Sequence, residues 1–500
     1  MESTPSKELS FRWLLAGGCF ALLMFFFSPP WGAFRAWSRA PEMGNMIEVR
    51  RGASTLLQVA HPGIPIADPI HGGIQWRLLF PVIGHVLQLS PAWFFALAHA
   101  GCVIVLAFII TVLRRRGVGW TESALAAVTL GATSWYFASM CWLGYFDSWL
   151  VLGLLVVAFA RSPRMVGLAC LWAPWVDERF VIGAPLALLC RYLVQPANPG
   201  PETPALFLKK EVALPAALLA AFLLVRLGVL AGLSGPKATI AGYMNTLQIM
   251  DTPWPRVLFG IWEGLRAAWL FVVLAVCLSW PKRGRALALL AGVLAVMLVG
   301  LGTAQDFSRS MMFILPVGLL GVTLGLQAAP RWLRGALQAG AAAALLLPAH
   351  LVMNDGVNPI SGFYHELAAL QSPPAAIMPE IYELRAIHAM EQGNFAQAER
   401  DLTLAIRLAD NPAGPSKQRG VLYASAGRWE EARRDFATMV KYGPENPEGW
   451  YLQAQSQLAL GDAAAARADV EHAIRLAPDG WSSRPDVTRF LTKLGSASGK

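Results

Sequence analysis

The sequence predicts an all-α protein in two parts, a polytopic bundle of about 11 membrane-spanning helices followed by a soluble α-solenoid. Three observations lead there. Of the 500 residues, 55% are apolar and only 15% charged, a mixture too apolar for an ordinary soluble chain. Apolar runs near the ~20 residues needed to cross a bilayer recur from Trp13 to Val352. Beyond them, glycines return every 34 residues, at Gly393, Gly427 and Gly461.

The first run, Trp13 to Phe27, follows Lys7 and Arg12 and reads as a retained span. The bulky Phe25-Phe26-Phe27-Ser28-Pro29-Pro30-Trp31 is unlike the small-residue site of a cleaved signal. A first external loop of about residues 28–75 follows. Trp76-Arg77-Leu78-Leu79-Phe80-Pro81 then reads as an interfacial amphipathic segment. Further spans are expected at Pro91–Leu113, Thr121–Met140, Trp149–Ala160, Val212–Leu233, Val257–Trp280, Ala286–Gly302, Ser310–Leu326 and Ala336–Val352. Met165–Val176 and Phe180–Val194 are short and flank Asp177-Glu178-Arg179, and as an out-and-back pair they bring the total to eleven. The membrane domain is thus residues 1–354, with a linker at 355–378, three repeats at 379–480, and a capping helix and tail at 481–500.

Charge is unevenly spread. Residues 1–354 carry 26 Lys and Arg against 14 Asp and Glu, whereas Asp355–Lys500 carries 15 against 18. Loops holding Arg114-Arg115-Arg116, Arg161, Arg164, Arg191, Lys209, Lys210, Lys282, Arg283, Arg285, Arg331 and Arg334 fall on one side, which the positive-inside rule makes cytoplasmic. The solenoid then lies outside, as a periplasmic domain of a bacterial inner-membrane protein. Arg35, Arg39, Arg50 and Arg51 in the first external loop run against that orientation. No basic and aromatic clustering of a nucleic-acid groove is present, so nucleic acid is excluded as a partner. The six cysteines all fall in or beside apolar segments and form no CxxC pair.

In the C-terminal part, Ala398, Ala432 and Ala466 occupy the small position where paired helices approach. Leu402, Phe436 and Val470 hold the large apolar position, and Pro444 and Pro478 break the chain between repeats. This pattern resembles the tetratricopeptide (TPR) repeat over Pro379–Gly480, with Val487–Leu494 covering the last open face. The resemblance implies a protein partner bound in the groove, or a bracing spacer.

Ionisable residues at membrane depth cost several kcal/mol unless paired or hydrated, which makes them candidates for function. Asp147 ends Gly144-Tyr145-Phe146-Asp147. Asp177, Glu178 and Arg179 sit between two half-length helices. Asp306 and Arg309 belong to Asp306-Phe307-Ser308-Arg309, Glu263 and Arg266 share a helical face, and the first loop contributes Glu42, Glu48, Asp68, His61 and His71. All fall on the external side. Carboxylates there suit a general base or a divalent-metal anchor, the one cofactor these residues suggest, and arginines suit a phosphate or pyrophosphate. The two histidines match no compact metal motif.

With its long acidic first loop, interfacial segment, uneven spans and external tail, the chain resembles the polytopic GT-C class of glycosyltransferases over about residues 11–352. That resemblance implies transfer of a sugar from a polyprenyl-phosphate donor in the membrane. A first-loop carboxylate, Glu48, Asp68 or Glu42, would be the catalytic base, and Asp147, Asp177, Glu178, Arg179, Asp306 and Arg309 would contact substrate. The acidic residue usual just after the first span is displaced, since residues 28–41 contain none. An O-antigen ligase or polymerase would need a larger late external loop. A lipid or solute transporter would be expected to show repeated halves, and a non-enzymatic membrane-anchored TPR scaffold would need only one span.

Overall fold

The computed structural model describes residues 5–27, 47–64, 75–194, 211–232, 252–303, 306–328, 331–353, 356–360, 362, 379–391, 393–409, 411–477, 481 and 483–497. They form two compact units, one containing the described residues up to 362 and the other those from 379 onward. Both are helical. Among the described residues one small sheet pairs β1 (His350–Val352) with β2 (Val357–Pro359), antiparallel.

The first unit begins with α1 (Pro5–Phe26), α2 (Ile47–Ala60), α3 (Leu79–Val86) and α4 (Pro91–Arg114). Pro91 opens α4 where its missing N–H costs nothing. Next come α5 (Trp120–Gly131) and α6 (Ser134–Cys141), bent by 66° where a single span was expected. At the bend Thr133 Oγ1 and Trp135 Nε1 both donate to the Leu130 carbonyl at 3.0 Å, satisfying an acceptor the broken helix leaves open. The chain continues through α7 (Asp147–Phe159), α8 (Pro163–Trp172) and α9 (Phe180–Val194). These interlock because Gly153 leaves room for Ala173 and Phe180.

After α10 (Ala213–Gly232) and α11 (Trp254–Leu265), α12 (Trp269–Ser279) and α13 (Arg283–Thr303) lead to the short α14 (Phe307–Ser310), a 3-10 turn at Met311–Ile314, α15 (Leu315–Ala328) and α16 (Arg331–Leu346). Gly321 brings α15 against α12 so closely that an added Cβ would lie 1.8 Å from the Phe271 carbonyl oxygen. The last expected span, Ala336–Val352, ends as a helix at Leu346 and turns at Pro348 into β1. Proline cannot continue the helix.

Among the described residues, five helices are long and apolar enough to cross a membrane: Glu8–Phe26, Pro91–Arg114, Trp254–Ser279, Arg283–Thr303 and Phe307–Leu326. The bent pair α5 and α6 makes a sixth if it is one span, and Asp147–Phe159, Phe180–Val194 and Ala213–Arg226 are shorter apolar helices. This is the composition of a membrane protein.

The second unit is built of helix pairs: α17 (Pro379–Glu391) with α18 (Phe395–Leu408), α19 (Ala413–Ser425) with α20 (Trp429–Tyr442), and α21 (Pro447–Ala459) with α22 (Ala463–Leu476). Gly393, Gly427 and Gly461 turn each pair at φ of +71°, +74° and +88°, a backbone region that disfavours any side chain. Ala398, Ala432 and Ala466 are fully buried between the paired helices. A final helix, α23 (Arg484–Ala497), lays Val487 and Leu494 onto Ala454, Ala466 and Val470.

Candidate functional site

The turn Gly144–Asp147 is fixed from two sides. Ser148 donates its backbone N–H to Ser139 Oγ at 2.8 Å and its hydroxyl to the Ala98 carbonyl at 2.9 Å. Phe146 stacks on Phe80 of α3 with ring centroids 4.3 Å apart. Gly144, at φ +80°, lets α2 approach, since a Cβ there would lie 2.5 Å from Thr55 Oγ1. The result is a buried Asp147 in the first turn of α7, where the helix dipole favours an anion.

Asp147 receives a two-pronged ion pair from Arg309, in which Nε donates to Oδ2 and Nη2 to Oδ1. The second of these prongs is shared, because Nη2 also lies 3.3 Å from Asp177 Oδ2. Asp177 is bound besides by Arg179 (Nε 2.9 Å, Nη2 2.7 Å, backbone N 3.0 Å) and by Arg77 Nη1 at 3.1 Å. Glu178 meets Arg77 Nε at 3.2 Å and Arg226 Nη2 at 3.4 Å. Asp306 caps α14 by accepting from the Arg309 backbone N–H at 3.2 Å. The guanidinium of Arg309 points to Asp147 and Asp177, so the two charges of the Asp306–Arg309 motif do not neutralise each other side chain to side chain.

A fifth arginine completes the group. Arg51, on α2, donates Nε to the Gly144 carbonyl at 3.3 Å and lies 3.6 Å from the centre of the Tyr145 ring, which also carries Arg309 at 4.4 Å. Only 8% of Arg51 is exposed, so this residue is no solvated loop charge set against the topology. Between these groups lies a cavity of about 10 Å³, room for about one water molecule, lined among others by Arg51, Thr55, Arg77, Asp147, Asp177 and Arg309. Among the described residues, Arg51, Arg77, Arg179, Arg226 and Arg309 gather with Asp147, Asp177, Glu178 and Asp306, and of these arginines Arg51 alone has no carboxylate in ion-pair contact.

The opposite ends of the same helices are basic. Arg191 near the end of α9 donates to the Ala160 carbonyl just beyond α7, and its Nε bonds Glu211 at 2.8 Å. Helix α7, with 13 residues, separates Asp147 from that end by roughly 20 Å, less than a bilayer core of ~30 Å.

Asp147, Asp177, Glu178, Arg179, Asp306 and Arg309 therefore meet in one place. Glu263 and Arg266 form their own pair at 3.6 Å, but Arg266 chiefly donates to the carbonyls of Ala344 (2.8 Å), Leu347 (2.5 Å), Pro348 (3.3 Å) and Ala132 (3.4 Å). It closes the end of α16 and the break after α5. Glu48 falls in the first turn of α2, three residues before Arg51. Glu42, Asp68 and His71 lie outside the described residues, and His61 is exposed. Among the described residues no group of three or more His, Cys, Asp or Glu side chains is arranged to hold a metal ion.

Sequence reading did not name Arg51, Arg77 or Arg226 as site residues. For Arg226 a signal existed, a lone arginine inside an apolar helix. No protein-family model matches the chain, and no curated protein matches it either.

Proposed function

We propose that the membrane unit is a GT-C-like glycosyltransferase that holds the phosphate of a polyprenyl-linked sugar in this arginine-lined pocket, on the external face of a bacterial inner membrane. The observation that carries the reading is a buried arginine, Arg51, that lines the cavity and meets no carboxylate among the described residues. Arg309 and Arg179 are engaged with Asp147 and Asp177, so they serve as the frame. Arg77 is engaged as well, with Asp177 and Glu178, and Arg51 is the cavity-lining arginine that meets no carboxylate among the described residues, so it leads in meeting a phosphate oxygen, with Arg77 beside it. A phosphate oxygen in the water-sized void would give Arg51 the counter-charge it lacks among the described residues.

The depth of the pocket supports a lipid-borne substrate. If the basic ends of α7 and α9 sit at the cytoplasmic headgroups, the roughly 20 Å of α7 leaves the charges below the outer surface. A phosphate on a polyprenyl chain reaches that depth by lateral entry. The reading keeps the eleven-span topology with the tail outside, and makes the 34-residue helix pairs a TPR array that receives a protein partner. The base belongs to the first loop, where Glu48 on the helix of Arg51 is favoured over Glu42 and Asp68 by its place in the chain.

The test is a host strain in which the protein carries Arg51→Met, Arg77→Met or Glu48→Gln, scored by mass spectrometry of its surface glycans. Loss of one glycan, with normal protein levels, supports the reading. An unchanged glycan profile in all three strains overturns it.

A further inference from the structure

The paired helices of the second unit share an internal ladder. In the first pair Arg385 donates through Nε and Nη2 to the two oxygens of Asp401, with the Nε contact at 2.8 Å. In the second, Arg419 does the same to Asp435 at 2.8 and 2.7 Å. Each rung joins the first helix of a pair to the second, and the rungs lie 34 residues apart. The third rung should join residue 453 to Asp469. Position 453 is glutamine, whose Nε2 donates to Asp469 Oδ2 at 2.9 Å.

The substitution leaves chemistry undone. One neutral amide stands where the earlier rungs have a planar cation, and Asp469 has no ion pair among the described residues. Gln457 follows one turn later on the same helix. Both glutamine carbonyl oxygens, Gln453 Oε1 and Gln457 Oε1, are buried and have no hydrogen-bond partner. The third rung therefore has a carboxylate without an ion pair and, on the glutamine that meets it, an orphaned acceptor, where the earlier rungs have the donor-only guanidinium of an arginine. The carboxylate itself is only partly buried and can be reached from solvent.

We infer that the third helix pair binds an arginine side chain of a partner polypeptide, whose guanidinium pairs with Asp469 from the solvent side and supplies the charge that Arg385 and Arg419 supply in the first two pairs. Arginine fits better than lysine because the rung geometry is a two-pronged fork, which an ammonium cannot reproduce. The inference is independent of the chemistry assigned to the membrane unit.

The experiment uses the full chain in lipid nanodiscs and follows amide hydrogen exchange by mass spectrometry. The probes are N-acetyl-arginine amide, its lysine counterpart and its neutral citrulline counterpart. Exchange within residues 447–476 should slow about threefold with the arginine probe and not with the other two. Gln453→Arg should slow the same amides without any probe and abolish the response to it. Absence of protection in the unmodified protein overturns the inference, as does equal protection by citrulline or lysine, or an undiminished response in Gln453→Arg.

Discussion

Arg309 and Asp147, 162 residues apart in sequence, are joined by two parallel guanidinium–carboxylate hydrogen bonds at the centre of the buried charge group. The pair ties the start of α7 to the start of α14, and through Asp177 to the turn before α9. Removing one partner strands a charge in a site with almost no water. Arg309→Met should therefore lower stability by about 3–5 kcal/mol, and adding Asp147→Asn should recover part of that loss. Thermal unfolding of the purified variants in one detergent checks it, and additive losses would deny the coupling.

Arg266 adopts φ 49°, ψ −128° at the break between α11 and α12, and holds the carbonyls of Ala344, Leu347 and Pro348. Lysine keeps the charge and loses the fork. Arg266→Lys should cost about 1–3 kcal/mol, read as a lower melting temperature, and a neutral result would show that charge alone suffices.

Gly264 touches the segment that carries Arg309, since a Cβ there would lie 2.3 Å from Met311 Cβ and 2.6 Å from the Ser308 carbonyl oxygen. Gly264→Ala should destabilise by about 1–3 kcal/mol. Gly302, with open space around it in α13, is the control, and its alanine variant should be neutral or slightly stabilised. Equal melting temperatures for the two variants would contradict the packing described.

Burial pushes the Asp469 carboxyl above its usual value, opposed by the amides of Gln453 and Gln457 and by His472, and reinforced by Asp462. A raised folded-state value means the neutral form is favoured on folding. Stability from this group is present in acid and fades as pH rises through the folded value. Gln453→Arg should reverse that by favouring the anion. Its gain should be small near pH ~3 and reach about 0.5–1 kcal/mol by pH ~7, read from hydrogen exchange in α21 and α22. A gain that shrinks as pH rises would contradict the assignment.

Much of the helical architecture was legible because it rests on local signals. Long apolar runs leave a helix as the way to satisfy the backbone in a bilayer, and the three glycines at 34-residue spacing stand where positive φ is needed. The β1–β2 hairpin was missed because Leu351-Val352 continues an apolar run, although Pro348 was available as a stop signal. The site residues were individually visible, but their partners were not. Asp306 and Arg309 stand three residues apart in one turn, yet the guanidinium reaches Asp147 from a distant segment. Arg51 counts in sequence as a loop charge, and only the approach of α2 to Gly144 turns it inward.

The central claim is that the pocket of Arg51 and Arg77 holds a lipid-borne phosphate, and binding of undecaprenyl phosphate against uncharged undecaprenol, measured by native mass spectrometry of the full-length protein, tests it most directly. The account predicts a clear preference for the phosphate, and a loss of about 10- to 100-fold in its affinity in Arg51→Met/Arg77→Met with undecaprenol binding unchanged. Equal binding of the two lipids, or full phosphate affinity in the double variant, would contradict it.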